Sequence, residues 1–109
     1  MAEQTLIVLI TVPDVDVGQT VADALLEQRL AACVNMIPGL RSLYWWQGER
    51  SDDQEVLLVV KTVVSLFAER LIPAVQAVHP YDVPEIIALP IIMGSQPYLD
   101  WIVSEVDAG

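Results

Sequence analysis

"ACVNMIPGLRSLYWW", Ala32 to Trp46, runs into the polar "QGERSDDQ", Gln47 to Gln54, and then into "VLLVV", Val56 to Val60. Asn35, Pro38 and Gly39 are poor helix residues, so the first segment reads as one long strand. Pro38-Gly39 breaks it with a bulge or kink. Beyond the kink, Leu40, Ser42, Tyr44 and Trp46 share one side, and Arg41, Leu43 and Trp45 share the other. The polar stretch turns the chain. Val56 to Val60 then forms a second strand of continuous hydrocarbon, closed by Lys61 and Thr62. Two strands in succession, with no helix between them, make an antiparallel pair at the middle of the chain.

The flanks carry the complementary pattern. Leu6 to Ile10, "LIVLI", is a short apolar run that ends at Thr11-Val12-Pro13 and reads as a buried strand. Asp14 and Asp16 are N-cap candidates for the helix that follows. Val17, Val21 and Leu25 form one stripe on that helix, and Ala22, Leu26 and Leu30 widen it. After Thr62, Ser65 is a cap candidate for a second helix, on which Phe67, Leu71, Ala74 and Val78 keep helical spacing up to His79. Pro73 inside that pattern should kink it or split it into two turns. Ile86 to Ile92, "IIALPII", is the last strand, and Pro90 assigns it to a sheet edge. Pro97, Tyr98, Leu99, Trp101, Ile102 and Val106 predict a short C-terminal helix, with Ser95 as its cap.

The order is β-α-β-β-α-β and then a helix. It predicts a single α+β domain over residues 1–109, with a ferredoxin-like antiparallel sheet. Right-handed crossovers place both main helices on one face of the sheet. The other face should then alternate with polar residues, and "LIVLI", "VLLVV" and "IIALPII" do not. A composition of 54% hydrophobic and only 18% charged residues points the same way: apolar surface is buried against something else. Another copy of the sheet in a closed symmetric oligomer is the economical cover. The arm from Leu40 to Gln54, with Tyr44, Trp45 and Trp46, is the expected reach to a neighbour.

Bulk properties narrow the partners. A net charge of −10, with five scattered basic residues, argues against nucleic acid and anionic membranes. No apolar run approaches the roughly 20 residues of a membrane span. The N-terminus shows no secretory pattern. Cys33 is the lone cysteine and forms no internal disulfide, so a cytoplasmic location is expected.

One more segment draws attention, "HPYDVPEIIALPI", His79 to Ile91. Pro80 stops a helix and Pro84 helps start a strand. The same braced turn holds His79, Tyr81 and Glu85. Lys61 and Glu85 sit at strand ends and must reach water, a partner or a ligand. Lys61, His79, Tyr81 and Glu85 therefore form a candidate inter-subunit ligand cleft. His79 and Glu85, and less readily Cys33, are the candidate metal ligands. For His79 the alternative is a helix-terminal residue facing free carbonyls; for Cys33 it is a small core residue. No triad, phosphate loop or dinucleotide fingerprint is present, so catalysis is not expected.

"TVP" after the first strand, "LAACVN" after the first helix, "SLYWWQG" in the arm, "LLVVKT", "HPYDVPEIIALPI" and "YLDWI" together resemble the CutA family of divalent-cation tolerance proteins. The resemblance spans nearly the whole chain. It implies a ferredoxin-like subunit in a tight homotrimer, similar in build to the PII signalling proteins, with Tyr44, Trp45 and Trp46 at the trimer interface. It also implies tolerance to copper and other divalent metals, and no defined reaction. The expected partners are further copies of the chain, divalent cations such as copper or zinc, and a protein partner that the sequence does not name. No cofactor is obligatory. Copper-binding relatives carry a cysteine in the first strand and a paired histidine before Pro-Tyr; here those places hold Ile10 and Val78. The alternative is a PII-like small-molecule sensor that uses inter-subunit clefts.

Overall fold

The computed structural model describes residues 3–107. Strands β1 (Thr5–Val12), β2 (Cys33–Trp46), β3 (Glu49–Val63) and β4 (Ile86–Pro90) form one antiparallel sheet in the order β2-β3-β1-β4. The two apolar runs of "LIVLI" and "VLLVV" thus lie at the centre, and the strand carrying Pro90 lies at an edge, as the residues predict. Helix α1 spans Val15–Glu27. The second helical segment comprises α2 (Val64–Leu66), a π-helical turn (Phe67–Leu71) and α3 (Ile72–Val78). Helix α4 spans Gln96–Glu105. Among the described residues, no helix is long and apolar enough to cross a membrane.

Register assigns the two faces of the sheet. Val8, Ile10 and Val12 lie opposite Val60, Leu58 and Val56, all on the face that the helices cover, and all are buried. Val21 and Leu25 of α1, and Leu71 and Val75 of the second helical segment, complete that core. On the other face, Ile7 and Leu9 of β1 pair with Lys61 and Val59 of β3, and with Leu89 and Ile87 of β4. Helix α4 packs on β1 and β3, and the open-face positions Thr5 and Val63 at that end are buried. The remainder stays bare: Ile37, Ile87 and Leu89 are each about half exposed. The missing alternation therefore marks a real apolar surface that one short helix leaves uncovered.

Several local expectations are met, and several need correction. Asp14 caps α1, accepting the Val17 N–H at 2.8 Å. The register shift in β2 falls between Pro38 and Leu40, with Gly39 at φ 83°. The polar Gln47–Gln54 stretch is not a long turn. Only Gln47 (φ 51°) and Gly48 (φ 82°) turn the chain, and β3 begins at Glu49. Positive φ at both residues is the two-residue hairpin geometry whose twist matches that of the strands. The arm is thus a paired ribbon out to its tip. Ser65 does not cap the second helix; its backbone N–H is taken by the Glu3 carboxylate at 2.9 Å. Pro73 follows the π-helical turn as one of the first residues of α3, so the expected interruption is absorbed there. Strand β4 ends at Pro90, not at Ile92. Ser95 stands at the N-cap of α4 without a side-chain hydrogen bond.

Candidate cleft between the arm and the loop after α3

The open face of the sheet continues past Thr11 onto the arm. Glu55 lies opposite Leu40, Asp53 opposite Ser42 and Ser51 opposite Tyr44, so these residues share that face. The loop that follows α3 folds over this end of the sheet. His79 is buried and fixes the loop from below. Its Nε2–H donates to the Thr11 carbonyl at 2.7 Å, and its Nδ1 accepts the Tyr81 N–H at 3.1 Å. That partner set defines the neutral tautomer with the proton on Nε2. The Tyr81 ring leans on the imidazole, with centroids 4.7 Å apart, and its hydroxyl donates to Glu55 Oε2 at 2.8 Å.

A cleft of about 780 Å³ opens between this loop and the arm. Its walls include Tyr44, Trp46, Tyr81, Glu55, Asp82 and Glu85. Arg41 also reaches it, but its guanidinium is tied to the Asp52 carboxylate in a two-pronged pair, at 2.9 and 2.6 Å. That pair raises the pKa of Arg41 and lowers that of Asp52. The Tyr44 hydroxyl donates to Asp53. Burial, and then the hydrogen bond to Glu55, push the Tyr81 phenol far above its ordinary value. For Tyr44 the bond to Asp53 is the leading cause of a rise. Both phenols are therefore held neutral beside carboxylates.

The structure gathers only part of the expected set. Tyr81 and Glu85 line the cleft, together with the arm residues Tyr44 and Trp46. Trp45 points elsewhere, 70% exposed, with the Arg50 guanidinium 5.5 Å from its ring centre. His79 lies beneath the cleft and not in it, and neither ring nitrogen is free. Lys61 is at the other end of β3. It pairs with Ile7 and Cys33, and its ammonium holds the Asn35 side-chain oxygen. Within one chain it does not meet Tyr81 or Glu85, because five residues of extended strand, Val56 to Val60, separate it from Glu55. Cys33 is half-buried beside Lys61, with its sulfur 3.7 Å from Asn35 Oδ1. Among the described residues, no three His, Cys, Asp or Glu side chains converge as a metal cluster would require. Carboxylates that could meet a cation in the cleft are those of Glu55, Asp82 and Glu85.

Glu55 was not anticipated, since it falls between the polar Gln47–Gln54 stretch and the apolar Val56–Val60 run and was assigned to neither. Its signal was available: it is the last charged residue before "VLLVV", on the face of Leu57 and Val59. A carboxylate at the edge of a hydrocarbon strand needs a partner, and Tyr81 supplies it.

Comparisons agree with the fold. The family model for CutA1 divalent ion tolerance protein matches residues 6–105. A divalent-cation tolerance protein CutA from Thermus thermophilus is 58% identical over 96 residues, covering 88% of this chain and 92% of that protein. The chloroplastic protein CutA 1 of Oryza sativa is 46% identical over 90% of this chain, which spans only 55% of that longer protein. The crystal structure of CutA1 from Oryza sativa superposes with a TM-score of 0.93 at 42% identity, covering 99% of this chain and 98% of that one.

Proposed function

This chain belongs to the CutA1 divalent ion tolerance protein family, and from that premise we propose that it serves, without catalysis, as a homotrimeric divalent-cation tolerance protein. It binds copper or other divalent cations weakly. The observation that carries the reading is the cleft itself. Glu55, Asp82 and Glu85 line it, and its one lining cation, Arg41, is already paired with Asp52. Carboxylates spread over a cleft attract divalent ions without building the three- or four-ligand set of a tight transition-metal site.

The trimer is supported by the uncovered apolar face at Ile37, Ile87 and Leu89, and by the arm that projects Trp45 and Trp46. The number three rests on the family. Lys61 and Cys33 lie on the same open face at the far end from the cleft, the end against which helix α4 packs. A cytoplasmic location is supported by the lone Cys33 thiol.

Calorimetric titration with Cu(II), Zn(II) and Mg(II) tests the metal reading. Binding at about micromolar affinity or weaker, reduced by Glu85→Gln, is the expected result. Stoichiometric nanomolar binding, or binding that Glu85→Gln leaves untouched, contradicts it.

A further inference from the structure

Among the described residues, Arg50 is the one basic side chain that the fold leaves without an oxygen partner. Arg29 pairs with Glu105 and Arg41 with Asp52, Arg70 donates to the Asp107 carbonyl, and Lys61 holds Asn35. Arg50 has only the ring of Trp45 beside it, and that ring is itself largely exposed. The two stand opposite one another at the arm tip, next to the Gln47-Gly48 turn. Beyond Val56, the last partner of β1, the sheet narrows to the two strands of the arm. Five strand steps then carry Arg50 about 17 Å past Glu55.

The cleft carries the opposite charge. Asp82 and Glu85 line it and belong to no ion pair, and its own cation, Arg41, is taken by Asp52. A cyclic trimer joins unlike surfaces, so the patch one copy offers is not the patch the next one receives. An arm tip must therefore meet something other than an arm tip. In a chain of net charge −10, a free guanidinium is drawn to unpaired acids. We propose that Arg50 of one copy, carried on Trp45, docks in the cleft of the next copy against Asp82 and Glu85, so that each cleft is completed by its neighbour. The inference rests on the trimer reading and deepens it. Tyr44 and Trp46 are covered in this arrangement, and divalent ions reach the carboxylates only in competition with a guanidinium, which keeps their binding weak.

The test is a charge swap on the full chain, read as the urea midpoint of trimer dissociation by light scattering, with circular dichroism confirming that each variant folds. Arg50→Glu and Glu85→Arg should each lower the midpoint. The double variant, Arg50→Glu with Glu85→Arg, should recover most of the loss, since coupling of this kind arises between groups that meet. The two residues form no ion pair within one chain, so the rescue reports a contact between copies. A midpoint that Arg50→Glu leaves unchanged, or a double variant no more stable than the weaker single one, overturns the proposal while the trimer itself stands. A monomeric wild type overturns the trimer reading, and this inference with it.

Discussion

Tyr81 reaches across from the loop after α3 and donates its phenolic hydrogen to Glu55 on β3, at 2.8 Å. The contact closes one end of the cleft and satisfies a carboxylate that is only 7% exposed. Tyr81 is positioned by His79, which accepts its backbone N–H and ties the loop to β1 through Thr11. Tyr81→Phe keeps the ring but leaves the Glu55 oxygen without its donor. It should cost about 1–3 kcal/mol, measured by urea unfolding. An unchanged midpoint would mean that water replaces the phenol at no cost.

The same pair sets an alkaline limit. In the folded chain the Tyr81 phenol ionises only well above its usual value, first through burial and then through Glu55. A group whose pKa is raised by folding contributes stability in full below its unfolded pKa, about 10 for tyrosine. That contribution declines as pH climbs from there through the folded value. Unfolding free energy should therefore fall above about pH 10, and Tyr81→Phe should flatten that part of the profile. Identical alkaline slopes for the two proteins would contradict the assignment.

All three tyrosines are shifted in this direction: Tyr44 through Asp53, Tyr81 through burial and Glu55, and Tyr98 through burial and then Cys33. Ultraviolet titration of the folded protein should show less than half of the phenolate signal at about pH 10, where free tyrosine is half ionised. Half or more of the signal at that pH would refute the environments described for these residues.

Much of this architecture can be read from the residues. Pro90 marks the edge strand because a central strand needs the N–H it lacks. Pro38-Gly39 marks the bulge, and Asp14 the start of α1. The arm was less legible. A two-stranded ribbon exposed on both faces buries no stripe, so Glu49 to Gln54 shows no apolar alternation and resembles a turn. What holds it is cross-strand pairing, Arg41 with Asp52 and Tyr44 with Asp53. Lys61 was placed with Glu85 because both lie at strand ends. Antiparallel pairing decides which ends meet, and it puts Lys61 beside Ile7, away from Thr11 and the loop. His79 looked equally suited to a cleft or to a helix end; the fold uses both of its nitrogens to hold the backbone.

The turn at the arm tip offers a direct check on that ribbon. Gln47 holds φ 51° at a position where asparagine is far more at ease. Gln47→Asn should stabilise the protein by about 0.5 kcal/mol. Gly48→Ala, at φ 82° with no neighbour within 4 Å of the added carbon, should destabilise it by about 1 kcal/mol through backbone strain alone. Thermal melts that move in the opposite order would rule out this turn geometry.

Two substitutions separate the core face from the open face. Ile10→Ala empties a fully buried site on the helix side and should cost about 2–5 kcal/mol. Ile87→Lys, on the open face, should leave the circular dichroism spectrum intact and disturb assembly instead. Trp46→Ala should likewise weaken assembly, because large aromatics on a projecting arm are effective anchors. A folded, fully assembled Ile87→Lys protein would mean that this face is not where copies meet.

In the proposed trimer, copies of the chain meet through the bare sheet face and the arm. Light scattering at low micromolar concentration weighs the particle directly. The predicted result is three times the mass of one chain for the wild type, and a smaller particle for Ile87→Lys. A folded wild-type monomer at that concentration would contradict it.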